Sequence, residues 1–497
     1  MEDITIDKLK EGQRRALDLM LSGENVFLTG EAGTGKSEVV KLFIRMAEAQ
    51  GKELLVTAPT GTAADNLHGE TIHRTFGASI GVQKNNRKLS ERKGILRIAD
   101  TVIIDEISMC RFDLFEYVAR RIQYENDERR KDRMAVERAM VTGYMPKEYE
   151  EYPVKEKDLQ LIVLGDFFQL PPVISKDDKQ ELDMAYAFDY GQGYAFMSAY
   201  WKMMNFKGVA LTQIIRQEDA EFKNVLSAIR HGNKKDMALC IDFLKRNSSD
   251  FPMVGDDAIN LIPINDKCKD FNDKELAKLE TEEEIYYSIS KGEVRASDKF
   301  AEEEIVLKEG CKVMTTVNAS NGDYVNGTMG IVKKLRDGSV DVLTEKEKLI
   351  TIGMISREIT KPVESTKTVT KYVDEAVLDE DGLPKKDDEG RVIFKKVLKE
   401  VEEKTISHET VGSYSQLPLK IAYAITVHKS QGKTFSRVNI DPYAWDYGQF
   451  YTALSRTKRI ENVCFFQEIN PKWIKTSPDA KQFMKGIEKA SKGILEV

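Results

Sequence analysis

Gly30-Glu-Ala-Gly-Thr-Gly-Lys-Ser37 has the spacing G-x-x-x-x-G-K-S. This is the chemistry of a phosphate cradle. Glycines at 30, 33 and 35 let backbone N–H groups wrap an anion, with Thr34 between the last two. Lys36 is expected to reach the β- and γ-phosphates, and Ser37 to offer its hydroxyl to Mg²⁺. A second string supplies what hydrolysis needs. Asp105-Glu106 closes an apolar run. An acid at such a strand end holds Mg²⁺ directly or through water, and its neighbour orients and deprotonates the attacking water. Asp105 is therefore expected on the metal and Glu106 on the water. Gln169, in Gly165-Asp-Phe-Phe-Gln-Leu-Pro-Pro172, is placed to sense the γ-phosphate. The double proline after it fixes the loop.

These residues need elements to hold them. Asn25-Val-Phe-Leu-Thr29 reads as a buried strand entering the loop, and Val39, Val40, Phe43, Ile44, Met46 and Ala47 recur at helical spacing after it. Strand, loop and helix in that order is the context a P-loop requires. Thr101-Val-Ile-Ile104 and Gln160-Leu-Ile-Val-Leu164 read as further buried strands, ending in the acidic pair and in the Gln169 loop. Leu54-Leu-Val56 leads into Ala58-Pro-Thr-Gly-Thr-Ala-Ala64, whose small residues and amides suit close approach to a phosphate. The pattern is α/β.

The chain has 497 residues, 41% hydrophobic and 32% charged. At about 100–200 residues per domain this is a multi-unit protein with a sizeable core. No apolar run nears the ~18–20 residues of a membrane span, and the acidic start lacks a signal-like apolar stretch. Five scattered cysteines without a C-x-x-C point away from zinc and disulfides, toward a reducing compartment. A net charge of −7 argues against a generic polybasic binder, while leaving room for a locally basic cleft.

Further strings complete a set. To the four above and Thr71-Ile-His73 add Leu211-Thr-Gln-Ile-Ile-Arg-Gln217, Val427-His-Lys-Ser-Gln-Gly432 and Tyr451-Thr-Ala-Leu-Ser-Arg-Thr457. In this order the chain resembles superfamily 1 DNA helicases of the Pif and Dda type, with RecD-like kinship. The resemblance spans nearly the whole chain. It implies two RecA-like P-loop cores, each a parallel sheet flanked by helices, with ATP and Mg²⁺ between them. It also implies a small wedge insertion in the first core and an SH3-like β insertion in the second. By the same resemblance Arg216 and Arg456 reach the γ-phosphate, and Gln13 reads adenine. Thr60, Gly61 and His73 of the first core, with His428, Ser430 and Gln431 of the second, face single-stranded DNA. Asn265 matches a similar strand-end position, although Pro263 and Ile264 stand where a hydroxyl residue is expected before it. Phe76, beside a Lys/Arg-containing turn, is the nearest candidate to stack on a base.

The expected organisation is a first core over 1–205, with the wedge at about 74–98 and a charged, solvated helical excursion at about 121–158. The second core takes 206–304 plus 411–497, where Leu419-Lys-Ile-Ala-Tyr-Ala-Ile425 reads as a buried strand, and the SH3-like insertion with a long hairpin takes 305–410. The activity implied is ATP-driven 5′-to-3′ movement on single-stranded DNA with duplex unwinding, in replication, recombination or repair. A translocase that strips bound proteins carries the same motifs. Expected partners are single-stranded DNA, junctions with duplex and replication proteins, for a monomeric protein outside membranes. The expected location is the cytoplasm of a bacterial or phage-infected cell, or a nucleus or mitochondrion in a eukaryote.

Overall fold

A computed structural model describes residues 5–79, 81–84, 94–142, 152, 154–215, 217, 219–255, 258–378, 385–387 and 392–490. Arg216, residues 80 and 85–93 of the expected wedge, and residues 379–384 and 388–391 of the long hairpin's tip lie outside these residues.

The first sheet has six strands: β1 (Val26–Gly30), β2 (Leu54–Ala58), β3 (Glu70–Thr71), β4 (Thr101–Ile104), β5 (Gln160–Gly165) and β6 (Lys207–Leu211). They lie in the order β3-β2-β4-β5-β1-β6, all parallel. Every residue of β1, β4 and β5 is buried. Continuous apolar runs of this kind fit parallel strands covered on both faces. Two helices pack on the sheet: α1 (Glu11–Ser22) buries Ala16, Leu17 and Met20, and α2 (Lys36–Ala49) buries Val39, Val40 and Phe43 as their spacing predicts. Because β4, β5 and β1 are neighbours, one edge of the sheet receives the acidic pair, the Gln169 loop and the P-loop together. The crevice beyond the carboxyl ends of such strands is where α/β sheets bind ligands.

The second sheet is also parallel, in the order Ala424–Thr426, Ala258–Ile262, Arg437–Ile440, Val463–Phe465. Between its first two strands in sequence the chain leaves to build antiparallel β structure. Strands Lys312–Thr315, Met329–Arg336, Ser339–Thr344, Leu349–Gly353 and Leu419–Ile421 form one sheet. Strands Ile355–Ala376 and Phe394–Gln416 pair along their whole length as a hairpin. Val313, Val332, Val340, Val342 and Leu419 share a separate small core with Tyr286, Ile305 and Leu307.

Four sequence readings change. Strand β6 starts at Lys207 and pairs with β1, so the first sheet runs past the division expected at 205. The helix Pro478–Ala490, assigned to the second core, instead buries Ala480, Met484 and Ile487 in the first. Its Phe483 stacks on Phe196 at 4.1 Å. The apolar run 419–425 is not one strand. Leu419–Ile421 pairs in the antiparallel sheet and Ala424–Thr426 in the second core, because the chain crosses from one to the other at Ala422 and Tyr423. Finally, the charged excursion begins as part of helix Phe112–Thr142 and is not simply solvated. Arg129 is 2% exposed. It ion-pairs with Glu125 at 3.2 Å and donates to the carbonyls of Leu96 and Ala99 at 2.7 and 2.6 Å. Those carbonyls close the helix Gly94–Ile98, whose end needs donors.

Candidate nucleotide site between the two cores

The P-loop leaves β1 at Gly30 and enters α2 at Lys36. Gly33 and Gly35 take φ of 81° and 83°, which a side chain would resist. Lys36 Nζ donates to the carbonyls of Gly30 and Glu31 at 2.9 and 3.3 Å, so the ammonium is folded over the loop. Ser37 follows in the first turn of α2, whose amides and dipole favour an anion. Gln13, on α1, is 2% exposed. Its Nε2 donates to the Thr34 carbonyl at 3.1 Å, and its Oε1 accepts from the Lys10 amide at 3.0 Å. Beside it lies a cavity of about 220 Å³ lined by Lys10, Gln13, Thr34, Leu211, Thr212 and Ile215 among others. The P-loop thus has a base-sized recess next to it, built from α1 and the segment after β6.

Asp105 and Glu106 stand at the end of β4. Asp105 is buried, and that burial, with Glu106 next to it, pushes its carboxyl well above the usual range; Lys36 and Lys41 oppose the shift. A divalent cation would offset the same burial penalty, so the donor set fits one. Glu106 has φ of +49°, rare for a residue with a side chain. Its amide donates to Asp105 Oδ1 at 2.7 Å. Gln169 is 6% exposed, in the turn its amide closes on Asp166 O at 2.9 Å.

The second core seats directly on these strand ends. Gly448 has φ of +70°, and a Cβ there would lie 2.3 Å from Gln169 O. Only glycine allows that approach. The Tyr451 hydroxyl accepts from the P-loop amide of Ala32 at 3.1 Å and donates to Asp166 Oδ2 at 3.4 Å. Arg230 pairs with Asp166 in two-pronged fashion, Nη2–Oδ1 2.9 Å and Nε–Oδ2 3.1 Å. Arg230, Asp166 and Tyr451 are functional candidates that sequence reading passed over. Arg456 is 1% exposed. Its guanidinium donates to Thr452 O at 2.7 Å and to the carbonyls of Ser430 and Lys433, both at 3.4 Å. It braces the 430–433 turn from inside the second core.

The expected DNA-facing residues divide. Thr60 and Gly61 begin the short helix Gly61–Ala64 after β2, and both are partly exposed. Asn265 is exposed at the start of helix Asn265–Ala277. His73 is half-buried, and burial lowers its imidazole's affinity for a proton. His428 is likewise half-buried and lies 6.2 Å from the Trp445 ring, nearly parallel to it. Phe76 requires correction. It is fully buried in the first core among Phe27, Ile72 and Phe115, because the helix Ile72–Phe76 turns it inward. It cannot stack on a base from there. Ser430 also turns inward: it is buried, and its hydroxyl donates to Val427 O at 2.6 Å. Gln431 turns into the cleft, where Nε2 donates to Glu106 Oε2 at 2.9 Å.

Among the described residues no helix is long and apolar enough to cross a membrane, and no cluster of His, Cys, Asp or Glu suits a separate metal site.

Comparison with known proteins agrees with this geometry. The PIF1-like helicase family model matches residues 8–238. The ATP-dependent DNA helicase Pif1 of Psychrobacter sp. is 32% identical, over 91% of this chain and 67% of that protein. The crystal structure of Bacteroides sp. Pif1 in complex with ADP-AlF4 superposes with TM-score 0.71 at 27% identity, covering 97% of both chains. Bacteroides Pif1 bound to ssDNA superposes with TM-score 0.63 at 26% identity, again over 97% of each. Two parallel-sheet cores closed on a P-loop, and likeness along nearly the full length, place the chain in the PIF1-like helicase family.

Proposed function

We propose that the protein hydrolyses ATP with Mg²⁺ to move 5′ to 3′ on single-stranded DNA and unwind duplex ahead of it. The observation that carries this reading is the seating of second-core residues on all three catalytic strand ends: Tyr451 on the P-loop, Gln431 on Glu106, and Arg230 with Gly448 on the Asp166–Gln169 turn. A nucleotide held by the P-loop therefore lies where it governs how the cores meet. Lys36 and Ser37 bind phosphates and metal, Asp105 holds Mg²⁺, Glu106 takes the water's proton, and Gln169 senses the γ-phosphate. Arg456 and Arg216 are the candidate cations for charge developing in the transition state, an effect worth about 10³–10⁵ in rate for such arginines. DNA lies across Thr60, Gly61 and His73 on one core and Asn265 and His428 on the other. Closure of the cores then changes the spacing between two grips on one strand. The Bacteroides relative bound to ssDNA supports the strand as ligand.

The test is unwinding of a duplex carrying one single-stranded tail, 5′ or 3′, by wild type and Lys36→Ala. ATP-dependent opening of only the 5′-tailed substrate, lost in the variant, is the expected result. Opening of only the 3′-tailed substrate overturns the polarity. Turnover without opening either one replaces unwinding by protein-stripping translocation.

A further inference from the structure

Gln431 has both ends of its amide in an unusual position. Nε2 crosses the cleft to Glu106 Oε2 at 2.9 Å. Oε1 is buried and has no hydrogen-bond partner among the described residues. A buried acceptor left unmade keeps its desolvation penalty uncompensated. Such an atom is retained where something else donates to it. The amide is fixed by its nitrogen to the carboxylate that should receive the water's proton, so its oxygen lies within reach of a water at that carboxylate. Water has two protons. One goes to Glu106, and the second needs an acceptor.

The backbone on both sides is built for this contact. Glu106 adopts the left-handed conformation, φ +49°, just after the strand end. Gly432, beside Gln431, has φ of +78°, and a Cβ there would come within 3.3 Å of Asn66 Nδ2 and 4.0 Å of Glu106 Oε1. Arg456 spans the same turn, donating to the carbonyls of Ser430 and Lys433 on either side of Gln431. The turn is braced from below and lies against the first core, with the left-handed backbone at Gly432 that favours glycine.

We propose that Gln431 is a water-positioning residue for ATP hydrolysis, supplied by the second core, and not a DNA contact. The inference rests on the ATPase reading above. The water's oxygen attacks the γ-phosphorus, the bond from that phosphorus to the β,γ-bridging oxygen breaks, and the departing ADP keeps the electron pair. The water's proton passes to the Glu106 carboxylate. Gln431 accepts a hydrogen bond throughout and neither gains nor loses a proton. His428 and Lys429 precede Gln431 on the same turn. A strand bound against that turn therefore seats the amide oxygen, and DNA acts on kcat more than on ATP affinity.

Steady-state ATPase of the full chain, with ATP and a poly-dT oligonucleotide varied separately, tests this with wild type and Gln431→Ala. The expected result is a kcat at saturating DNA lower by about ten-fold, the scale of one hydrogen bond lost from the reacting water. The KM for ATP and the half-saturating DNA concentration stay near wild type, and binding of a fluorescent ADP shows the variant folded. An unchanged kcat with a raised half-saturating DNA concentration overturns the proposal and returns Gln431 to the DNA face. An unchanged kcat with no other effect overturns it as well. If wild type turns over ATP without responding to DNA, the DNA reading fails, and DNA-free kcat of the variant still decides the water assignment. Absence of wild-type turnover sinks both.

Discussion

Arg230 and Asp166 form a buried ion pair that joins the two cores, Nη2–Oδ1 2.9 Å, with side chains 3% and 0% exposed. Asp166 follows β5 and carries the turn that presents Gln169. Arg230 lies near the end of helix Ala220–His231 and also covers the Phe168 ring at 4.3 Å. Tyr451 completes the arrangement by linking Asp166 to the Ala32 amide. Burial raises the neighbouring Glu31 carboxyl, and Arg230 draws it back down. Two charges taken out of water depend on each other for compensation.

Removing one partner of such a pair leaves the other charge buried and uncompensated, at a cost of about 3–5 kcal/mol. Arg230→Met and Asp166→Asn are each expected to destabilise on that scale. Because both lose the same interaction, the double variant should lose much less than the sum. Urea unfolding of the four proteins measures it. Strict additivity would mean the pair is not formed in solution.

Gly448 gives a second, geometric expectation. Its φ of +70° and the 2.3 Å approach of a Cβ to Gln169 O leave no room for a methyl group. Gly448→Ala must shift the 166–169 turn or part the cores. The expected outcome is a loss of about 1–3 kcal/mol, the range of a strained backbone position, together with a fall in ATPase kcat. A variant with wild-type melting temperature and turnover would show that the cores sit farther apart there.

What the sequence disclosed was local chemistry. The P-loop, Asp105, Glu106 and Gln169 each end a short apolar run, and a run plus its next few residues is enough to place them at a sheet edge. Residues whose role depends on distant chain were not legible. Asp166 and Arg230 are 64 residues apart, and nothing in Ile-Arg-His-Gly marks the arginine as buried. Arg129 hides in a charged string because its partners distant in sequence, the carbonyls of Leu96 and Ala99, have no sequence signature. Apolarity alone gave 419–425 one strand, since hydrophobic periodicity does not say which sheet a strand joins. Phe76 and Gln431 both sit in strings expected at DNA, yet one backbone turn decides whether such a side chain faces solvent, core or cleft.

Phe76 therefore yields a prediction opposite to its expected role. Phe76→Ala removes a fully buried ring and should cost about 3–5 kcal/mol of stability. Single-stranded DNA affinity, measured by fluorescence anisotropy well below the variant's melting point, should stay within about two-fold of wild type, since no base-stacking platform is lost. A large loss of affinity in a variant that melts normally would place the ring at the DNA after all.

Gln13 closes the recess beside the P-loop, and its amide is already oriented at both ends. Oε1 accepts from the Lys10 amide and Nε2 donates to Thr34 O. The carbonyl oxygen retains a second lone pair and the amide nitrogen a second proton. Those two spare sites form an acceptor and a donor side by side. They match the exocyclic amine and ring nitrogen of adenine, and guanine, with a carbonyl in place of the amine, meets the acceptor with an acceptor. Gln13→Ala should therefore raise the KM for ATP by about five- to thirty-fold, the equivalent of one or two kcal/mol, and narrow the preference for ATP over GTP. The effect on kcat should be smaller, because the lost bonds hold the base equally before and during hydrolysis. Parallel ATP and GTP titrations at saturating DNA measure both quantities. An unchanged ATP-to-GTP ratio with a reduced kcat would make Gln13 a brace for Thr34 and the P-loop, with no part in reading the base.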